Sequence, residues 1–259
     1  MGEGTKTVLI TGAGGSVGKA FVKLLHKDYH VIAVDNNEWS VSELQTEFPD
    51  LSTVLADFST MPLAEDYDFV IHCAAYKHVG LGEENVAEFI DNNLTKTVEF
   101  YKRLDKIRVG QLLYISTDKA VEPISAYGMT KALAERLTWQ IGGQVARSGN
   151  FIGSSGSVIP VWEKQIREGK PVSITDERMV RYVIDLDEGA KQIWAKFLEN
   201  ERLIVPEMQE VRIMDLLTDV LKRHAYMTPQ AYEPGVKVIG IGRGEKLREK
   251  LRWDDEASN

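Results

Sequence analysis

The sequence predicts an α/β fold in which helices cover both faces of a doubly wound parallel sheet. Apolar runs typical of strands alternate with helical patterns; these runs lie at residues 7–11, 31–34, 52–55, 68–73, 111–116 and 143–147. Strands separated by helices pair in parallel, because the helix carries the chain back across one face of the sheet. From about residue 150 a serine- and glycine-rich loop is followed by short strand and helix signals. We therefore expect a core over residues 1–150 and a smaller lobe over residues 151–259, from which some segments return to the core.

The longest helical pattern lies between residues 83 and 103. Apolar residues recur there at intervals of three or four, which puts them on one face of a helix; they are Val86, Phe89, Ile90, Leu94, Val98 and Tyr101. We expect one long helix whose apolar stripe faces the core.

The composition excludes several classes of protein. Hydrophobic residues make up 43% of the 259-residue chain, which is enough for a large core, and the net charge of −8 disfavours binding to nucleic acid or anionic membranes. No stretch approaches the roughly 20 apolar residues of a membrane-spanning helix, and no signal-peptide pattern is present, so we expect a cytoplasmic protein. Cys73 is the only cysteine, and we expect it to be a small buried residue and not a nucleophile. The five histidines lack metal-ligand spacing, so we expect no metal site.

A glycine-rich turn follows the first apolar run. Its glycines are Gly12, Gly15 and Gly18, and a helical pattern begins near Ser16. Such a turn lets backbone N–H groups at a helix N-terminus approach a pyrophosphate without a Cβ in the way. Together with an acidic residue, Asp35, at the end of the next apolar run, the turn predicts a Rossmann-type dinucleotide site. We expect it to contact the cofactor through Gly12, Gly15, Ser16, Val17 and Gly18; the alternative is an ordinary glycine-rich turn.

The charges near Asp35 favour NAD as the cofactor, with NADP as the alternative. A carboxylate there can accept hydrogen bonds from a ribose 2′-hydroxyl but repels a 2′-phosphate. No lysine or arginine lies between Lys27 and Lys77 to pair with such a phosphate. We expect Asp35 and Asn36 at the ribose and Asp57 and Phe58 at the adenine edge. The alternatives are that Asp35 caps the following turn and that Asp57 is an ordinary turn residue.

Polar residues follow the apolar run at 111–116, where open parallel sheets bind ligands. They include Thr117, Asp118 and Lys119, and the pair Tyr127 and Lys131 comes shortly after. Residues four apart share a helix face, and a nearby ammonium favours a phenolate, so the pair predicts a tyrosine base. The alternatives are an exposed tyrosine and lysine on a solvated helix and a surface ion pair between Asp118 and Lys119.

With these motifs the chain resembles the extended short-chain dehydrogenase/reductase family, and within it the nucleotide-sugar 4,6-dehydratases of bacterial polysaccharide synthesis, whose usual substrate is UDP-N-acetylglucosamine. Further motifs carry the resemblance; they lie at residues 74–79, 116–121, 149–150 with 156–160, 174–179, 186–189 and 244–247. The resemblance implies a homo-oligomeric enzyme with a mainly substrate-binding C-terminal lobe. It also implies cofactor contacts from Ala74, Ala75, Lys77, Tyr127 and Lys131.

The resemblance implies a three-step reaction. Tyr127, assisted by Lys131 and Thr117, takes the proton of the sugar C4 hydroxyl while hydride leaves C4 for the nicotinamide. Lys119 then removes the C5 proton and Asp118 protonates the departing C6 hydroxyl, after which hydride returns to C6. An acid beside a base suits this elimination.

For the UDP-sugar we expect contacts from donors and charged groups, since arginine matches phosphate oxygens well; the candidates are Lys77, His78, Asn150, Ser157, Val158, Arg178, Arg181, Arg243 and Glu245. The segment at 242–246 departs from the usual Arg-Pro-Gly-Glu-Lys by moving the arginine one position. Two other functions are compatible with the sequence. A C4 epimerase needs Tyr127 and Lys131 but not Asp118 and Lys119, and a non-catalytic dinucleotide-binding subunit needs none of them.

Overall fold

The computed structural model describes residues 4–154, 157–225, 228–254 and 256. The strands are β1 Thr7–Thr11, β2 His30–Asp35, β3 Ser52–Leu55, β4 Asp66–His72, β5 Arg108–Thr117, β6 Gln144–Ser148, β7 Asn150–Ile152, β8 Val172–Ile174, β9 Val180–Asp185, β10 Leu203–Ile204, β11 Gln209–Arg212 and β12 Val236–Val238. The α-helices are α1 Ser16–Leu25, α2 Glu38–Glu47, α3 Val79–Glu84, α4 Val86–Ile90, α5 Lys96–Leu104, α6 Ala126–Gln140, α7 Val158–Arg167, α8 Leu186–Leu198 and α9 Ile213–Arg223. A π-helical turn spans Asp91–Thr95, and 3-10 turns span Asp118–Ala120 and Pro229–Ala231.

Within the described residues, seven strands form one parallel sheet in the order β10-β6-β5-β4-β1-β2-β3. The predicted doubly wound parallel sheet is thus confirmed. The order reverses beside β1, which pairs with β2 on one side and with β4 on the other. The connections after these strands leave in opposite directions, and this is where sheets of this type bind ligands.

Successive residues of β1 serve the two faces of the sheet. Val8 and Ile10 pack in one apolar cluster with Phe21 of α1 and Phe197 of α8. Leu9 packs in the other cluster, with residues of α5 such as Phe100. This alternation follows from the two-residue period of a strand, and it leaves both faces buried.

Residues after 150 build two smaller sheets in the described part of the chain. One has the order β11-β9-β7, and β12 pairs with β8 in the other. A separate apolar cluster joins α7 and α9 to these strands, with Trp162 and Leu217 fully buried. The segment α8–β10 returns to the large sheet. The division into a dinucleotide-binding core over residues 1–150 and a mainly substrate-binding lobe over residues 151–259 stays a prediction.

The single long helix expected over residues 83–103 is confirmed from Val86 onwards, where α4, the π-helical turn and α5 follow one another without a break, and is wrong before it. Asn85, at φ −130°, separates α3 from α4, and the π-helical turn follows before α5. The π-helical turn contains the buried Asn93, whose side chain accepts from the Tyr76 N–H at 2.7 Å and donates to the Tyr76 carbonyl at 2.9 Å. Val86 and Ile90, expected in the core stripe, are 45% and 44% exposed.

Among the described helices, none combines the length and the apolar character that a membrane crossing requires. Among the same residues, no cluster of three or more His, Cys, Asp or Glu side chains is placed to hold a metal ion.

Candidate active site

The turn between β1 and α1 admits only glycine at two of the predicted positions. Gly12 has φ +64°, and a Cβ there would lie 2.7 Å from the backbone of Ala74. A Cβ on Gly18 would lie 2.2 Å from the Gly12 carbonyl oxygen. Since the first turn of α1 begins directly after Gly15, its free N–H groups face the crevice beside the turn. This geometry fits the pyrophosphate of a dinucleotide.

Asp35 fixes this turn in addition to facing the crevice. Its carboxylate accepts hydrogen bonds from the N–H groups of Gly14 and Asn37, both at 2.9 Å. Asp35 therefore caps the turn that follows it, as the alternative interpretation predicts, and also bonds to the glycine turn. A cavity of about 160 Å³ adjoins it; Asn36, Phe58, Ala74 and Ala75 are among the residues that line the cavity.

Asp57 lies behind this small cavity and does not line it. It pairs with Lys96 at 2.8 Å and accepts hydrogen bonds from Ser59. Burial alone would raise the pKa of Asp57, but these hydrogen bonds lower it below its ordinary value. The sequence analysis missed Lys96, because it lies outside the interval between Lys27 and Lys77.

A larger cavity, of about 660 Å³, adjoins the small one and shares Gly12, Gly15, Cys73, Ala75 and Tyr76 with it. It brings together most of the predicted side chains; those that line it are Ser16, Val17, Gly18, Lys77, His78, Thr117, Lys119, Tyr127, Lys131, Asn150 and Ser157. Cys73 also lines it and is half-buried, so the expectation of a buried residue is wrong. Desolvation nevertheless raises the pKa of this thiol to about 12, which fits the expectation that it is not a nucleophile.

The end of β5 holds the predicted acid and base. The Thr117 hydroxyl donates to Asp118 Oδ1 at 3.0 Å and caps the 3-10 turn by accepting from the Lys119 N–H. Lys119 Nζ also donates to Asp118 Oδ1 at 3.0 Å. The Asp118 side chain is fully buried, so the alternative of a surface ion pair is wrong. Lys119 lines the large cavity, whereas Asp118 lies behind it.

Tyr127 and Lys131 both lie on α6, as predicted, but their electrostatics differ from the expectation. Lys131 Nζ donates to the Ile115 carbonyl at 2.6 Å and sits 4.0 Å from the centre of the Tyr114 ring. Burial lowers the pKa of Lys131 to about 7. Burial also raises the pKa of Tyr127 above its ordinary value, although the charge of Lys119 and a hydrogen bond with Thr117 oppose the increase. Lys119 is thus a second cation near Tyr127, and the Lys131 ammonium is bonded to the backbone of β5.

Several expected substrate contacts do not line the cavity; they are Val158, Arg178, Arg181, Arg243 and Glu245. Arg178 is exposed, and its guanidinium and backbone N–H donate three hydrogen bonds to the Asp176 carboxylate. Arg243 is also exposed, and its Nε lies 3.4 Å from the Glu83 carboxylate. The Glu245 carboxylate accepts from the Gly242 N–H at 2.9 Å. Gly156, in one of the motifs of the resemblance, lies outside the described residues.

The sequence analysis also missed Glu249. This residue is 2% exposed, and its Oε1 lies 3.6 Å from Lys119 Nζ. Lys246 Nζ lies 3.3 Å from the other carboxylate oxygen. The only signal for Glu249 in the sequence was its position just after the 244–247 motif.

Comparisons with known proteins show the family of the chain. A family model described as "Polysaccharide biosynthesis protein" matches residues 8–259. A UDP-N-acetylglucosamine 4,6-dehydratase (inverting) of Campylobacter jejuni is 33% identical over 97% of this chain and 79% of its own length. An uncharacterized membrane protein of Methanocaldococcus jannaschii is 34% identical over 98% of this chain and 82% of its length. A UDP-glucose 4-epimerase of Rickettsia bellii is 30% identical over 97% of this chain and 79% of its length.

Two solved structures share the fold. Pen from Bacillus thuringiensis superposes with a TM-score of 0.89 at 27% identity and covers 100% of this chain and 86% of its own. DesIV, a dTDP-glucose 4,6-dehydratase from Streptomyces venezuelae solved with NAD bound, has a TM-score of 0.81 at 20% identity, covering 95% of this chain and 88% of its own. At that identity the second match is evidence for the fold alone.

Proposed function

The chain belongs to the polysaccharide biosynthesis protein family, and from this premise we propose that it is an NAD-dependent nucleotide-sugar 4,6-dehydratase acting on UDP-N-acetylglucosamine or a close UDP-sugar. The observation that carries the proposal is the position of Lys119, which lines the same cavity as Tyr127 and is paired with the buried Asp118. An elimination needs such an acid and base beside the oxidised carbon. The Campylobacter relative supports the same reaction.

The dinucleotide, held by the glycine turn, Asp35 and Asn36, supplies the hydride acceptor at C4 and the hydride donor at C6. Tyr127, once ionised, takes the proton of the C4 hydroxyl. Lys119 and Thr117 are the groups that favour its phenolate.

The elimination falls to the pair at the end of β5. Within the pair, the Lys119 ammonium first passes a proton to Asp118, to which it donates at 3.0 Å. The resulting neutral amine takes the C5 proton, and the electron pair of that C–H bond forms the C5–C6 double bond as the C6–O bond breaks. Asp118 gives its proton to the leaving hydroxyl, which departs as water. Of the two residues, Lys119 lines the cavity and Asp118 does not, so this role requires the Asp118 side chain to turn towards the cavity.

The substrate is tested by incubating UDP-N-acetylglucosamine with the protein in deuterated water. We expect a product that has lost one water and carries deuterium at C5, read by mass spectrometry and proton NMR. Lys119→Ala abolishes C5 exchange while the cofactor stays bound, and Lys250→Ala, which removes an exposed lysine, does not. Exchange that survives in Lys119→Ala assigns the base to another residue, and a wild-type protein that leaves every UDP-sugar unchanged refutes the function.

The same incubation separates the alternative reaction. The epimerase named among the relatives supports a C4 epimerase as the second candidate. An epimerase yields a product of unchanged mass with the opposite configuration at C4. It has no use for Asp118, so Asp118→Asn slows a dehydratase and leaves an epimerase active.

We propose NAD as the cofactor because, among the described residues, no lysine or arginine lines the small cavity beside Asp35. A 2′-phosphate there would meet a carboxylate without a cation. Calorimetric titration of the protein with NAD and with NADP tests the choice. We expect Asp35→Asn to reduce the difference between the affinities for the two dinucleotides. Tighter binding of NADP to the wild type would overturn it.

A further inference from the structure

The C-terminal segment brings a carboxylate to the catalytic lysine from a distant part of the chain. The Val180 N–H at the start of β9 donates to the Leu247 carbonyl at 2.9 Å, which holds the segment against the site. Two residues later the Glu249 side chain is buried, with Oε1 3.6 Å from Lys119 Nζ. Lys119 therefore lies between two carboxylates, those of Asp118 and Glu249.

Each of these two buried carboxylates has one oxygen without a hydrogen-bond donor among the described residues. Asp118 Oδ2 and Glu249 Oε2 accept no hydrogen bond from the described part of the chain. Lys246 lies near Glu249 Oε2, but its ammonium donates to the Val121 carbonyl at 2.7 Å. Buried charges persist only where they are paired, and an unsatisfied carboxylate oxygen costs stability. Such an arrangement indicates a role in the chemistry at Lys119 and not in folding alone.

We propose that Glu249 is a positioning residue for Lys119, holding the amine at the cavity wall and stabilising the ammonium that forms when it takes the C5 proton. This inference rests on the proposed function. In the elimination the amine gains the proton of the C5–H bond, and the new positive charge then lies between Asp118 and Glu249. Glu249 itself exchanges no proton.

The charges around Lys119 come from four parts of the chain. Asp118 lies on its own turn, Glu249 on the C-terminal segment, Arg181 on β9 and Tyr127 on α6. Burial and Arg181 favour the neutral amine, but Asp118 and Glu249 outweigh them and raise the pKa of Lys119 above its ordinary value. Removal of the Glu249 charge should therefore lower that pKa.

Glu249→Gln tests the inference, because it keeps the size of the side chain and removes its charge. The first readout needs no activity: acetic anhydride labels Lys119 in competition with a reference amine across a range of pH, and peptide mass spectrometry gives the midpoint. We expect the midpoint to fall by about one pH unit, as for an opposite charge removed at close range. The rising limb of C5 exchange against pH should move in the same direction.

Two further variants keep the test independent of folding. Glu249→Asp retains the negative charge but places the carboxylate farther from Lys119, because aspartate is one methylene shorter. We expect a labelling midpoint between those of the wild type and Glu249→Gln, with slower C5 exchange. Glu210→Gln is the control: it removes the ion pair between Glu210 of β11 and Arg248, the residue before Glu249. Since Glu210 makes no ion pair with Lys119, the labelling midpoint should stay unchanged. An unchanged midpoint in folded Glu249→Gln overturns the inference. If the wild type dehydrates no UDP-sugar, the proposed function fails while the labelling still decides the coupling.

Discussion

The glycine end and the Lys119 end of the crevice are built by opposite means. At the glycine end, recognition comes from backbone N–H groups in a short contiguous stretch, residues 12–18, with Asp35 as its support. At the Lys119 end, it comes from side chains on β5, α6 and the C-terminal segment. The first end depends on conformation and the second on charge.

This difference determines which substitutions disrupt each end of the crevice. A backbone site fails when a Cβ enters it, because the N–H groups are part of the turn itself. A charged site fails when burial or a partner charge changes, because both set the protonation of its groups. Substitutions at the two ends should therefore separate cofactor binding from chemistry.

The largest effect is expected from Tyr127→Phe at the charged end. Removing a general base slows the reaction by about 10²–10⁴-fold, whereas the glycine turn is untouched. We expect C4 oxidation to be lost and NAD affinity to stay within a small factor, measured by single-turnover absorbance and by calorimetry. Tyr67→Phe is the matched control, since its hydroxyl accepts from the Ala64 N–H and Tyr67 does not line the large cavity. Full activity of Tyr127→Phe would remove this residue from the mechanism.

Gly18→Ala should affect the glycine end. The added methyl group meets the Gly12 carbonyl oxygen, so the turn has to shift. Overpacking costs about 1–3 kcal/mol, and if this cost falls on the bound state the affinity for NAD drops by about 5- to 150-fold. Gly4→Ala, which meets no atom within 4 Å, is the control. Equal NAD affinities for the two variants would contradict the backbone account.

Lys131 should make stability depend on pH, because its pKa falls from 10.5 to about 7 on folding. Between these values the unfolded chain binds a proton that the folded protein lacks, so unfolding becomes harder as pH rises. The contribution is about 1.4 kcal/mol per pH unit at most. Urea unfolding of the wild type and Lys131→Met at pH 7, 8 and 9 measures it. We expect the wild type to gain relative to the variant as pH rises, and a constant difference would show that Lys131 is not buried as a neutral amine.

The smallest effect is expected at Cys73, which both cavities share. A thiol whose pKa is raised to about 12 holds little thiolate at pH 8, and the thiolate is the reactive form. Thiol reagents should therefore leave the native protein unmodified at pH 8 and label it fully in denaturant. Rapid native labelling that NAD suppresses would instead place a reactive group in the crevice.

Most of the fold could be predicted because its signals are local. The six apolar runs all became strands of the large sheet, since strand and helix periods are read over a few residues. The π-helical turn within the predicted helix was missed, because the Asn93 side chain in that turn bonds to the backbone of Tyr76, a contact between segments that periodicity does not report.

The sequence by itself determined the parallel sheet, the glycine turn and the shared helix face of Tyr127 and Lys131, because each depends on spacing along the chain. Only the tertiary structure decided that the charge of Lys119 acts on Tyr127, that Lys131 bonds to the Ile115 carbonyl, and that Glu249 lies beside Lys119. The physical reason is that the charge of a side chain depends on its burial and its neighbours, which distant segments supply.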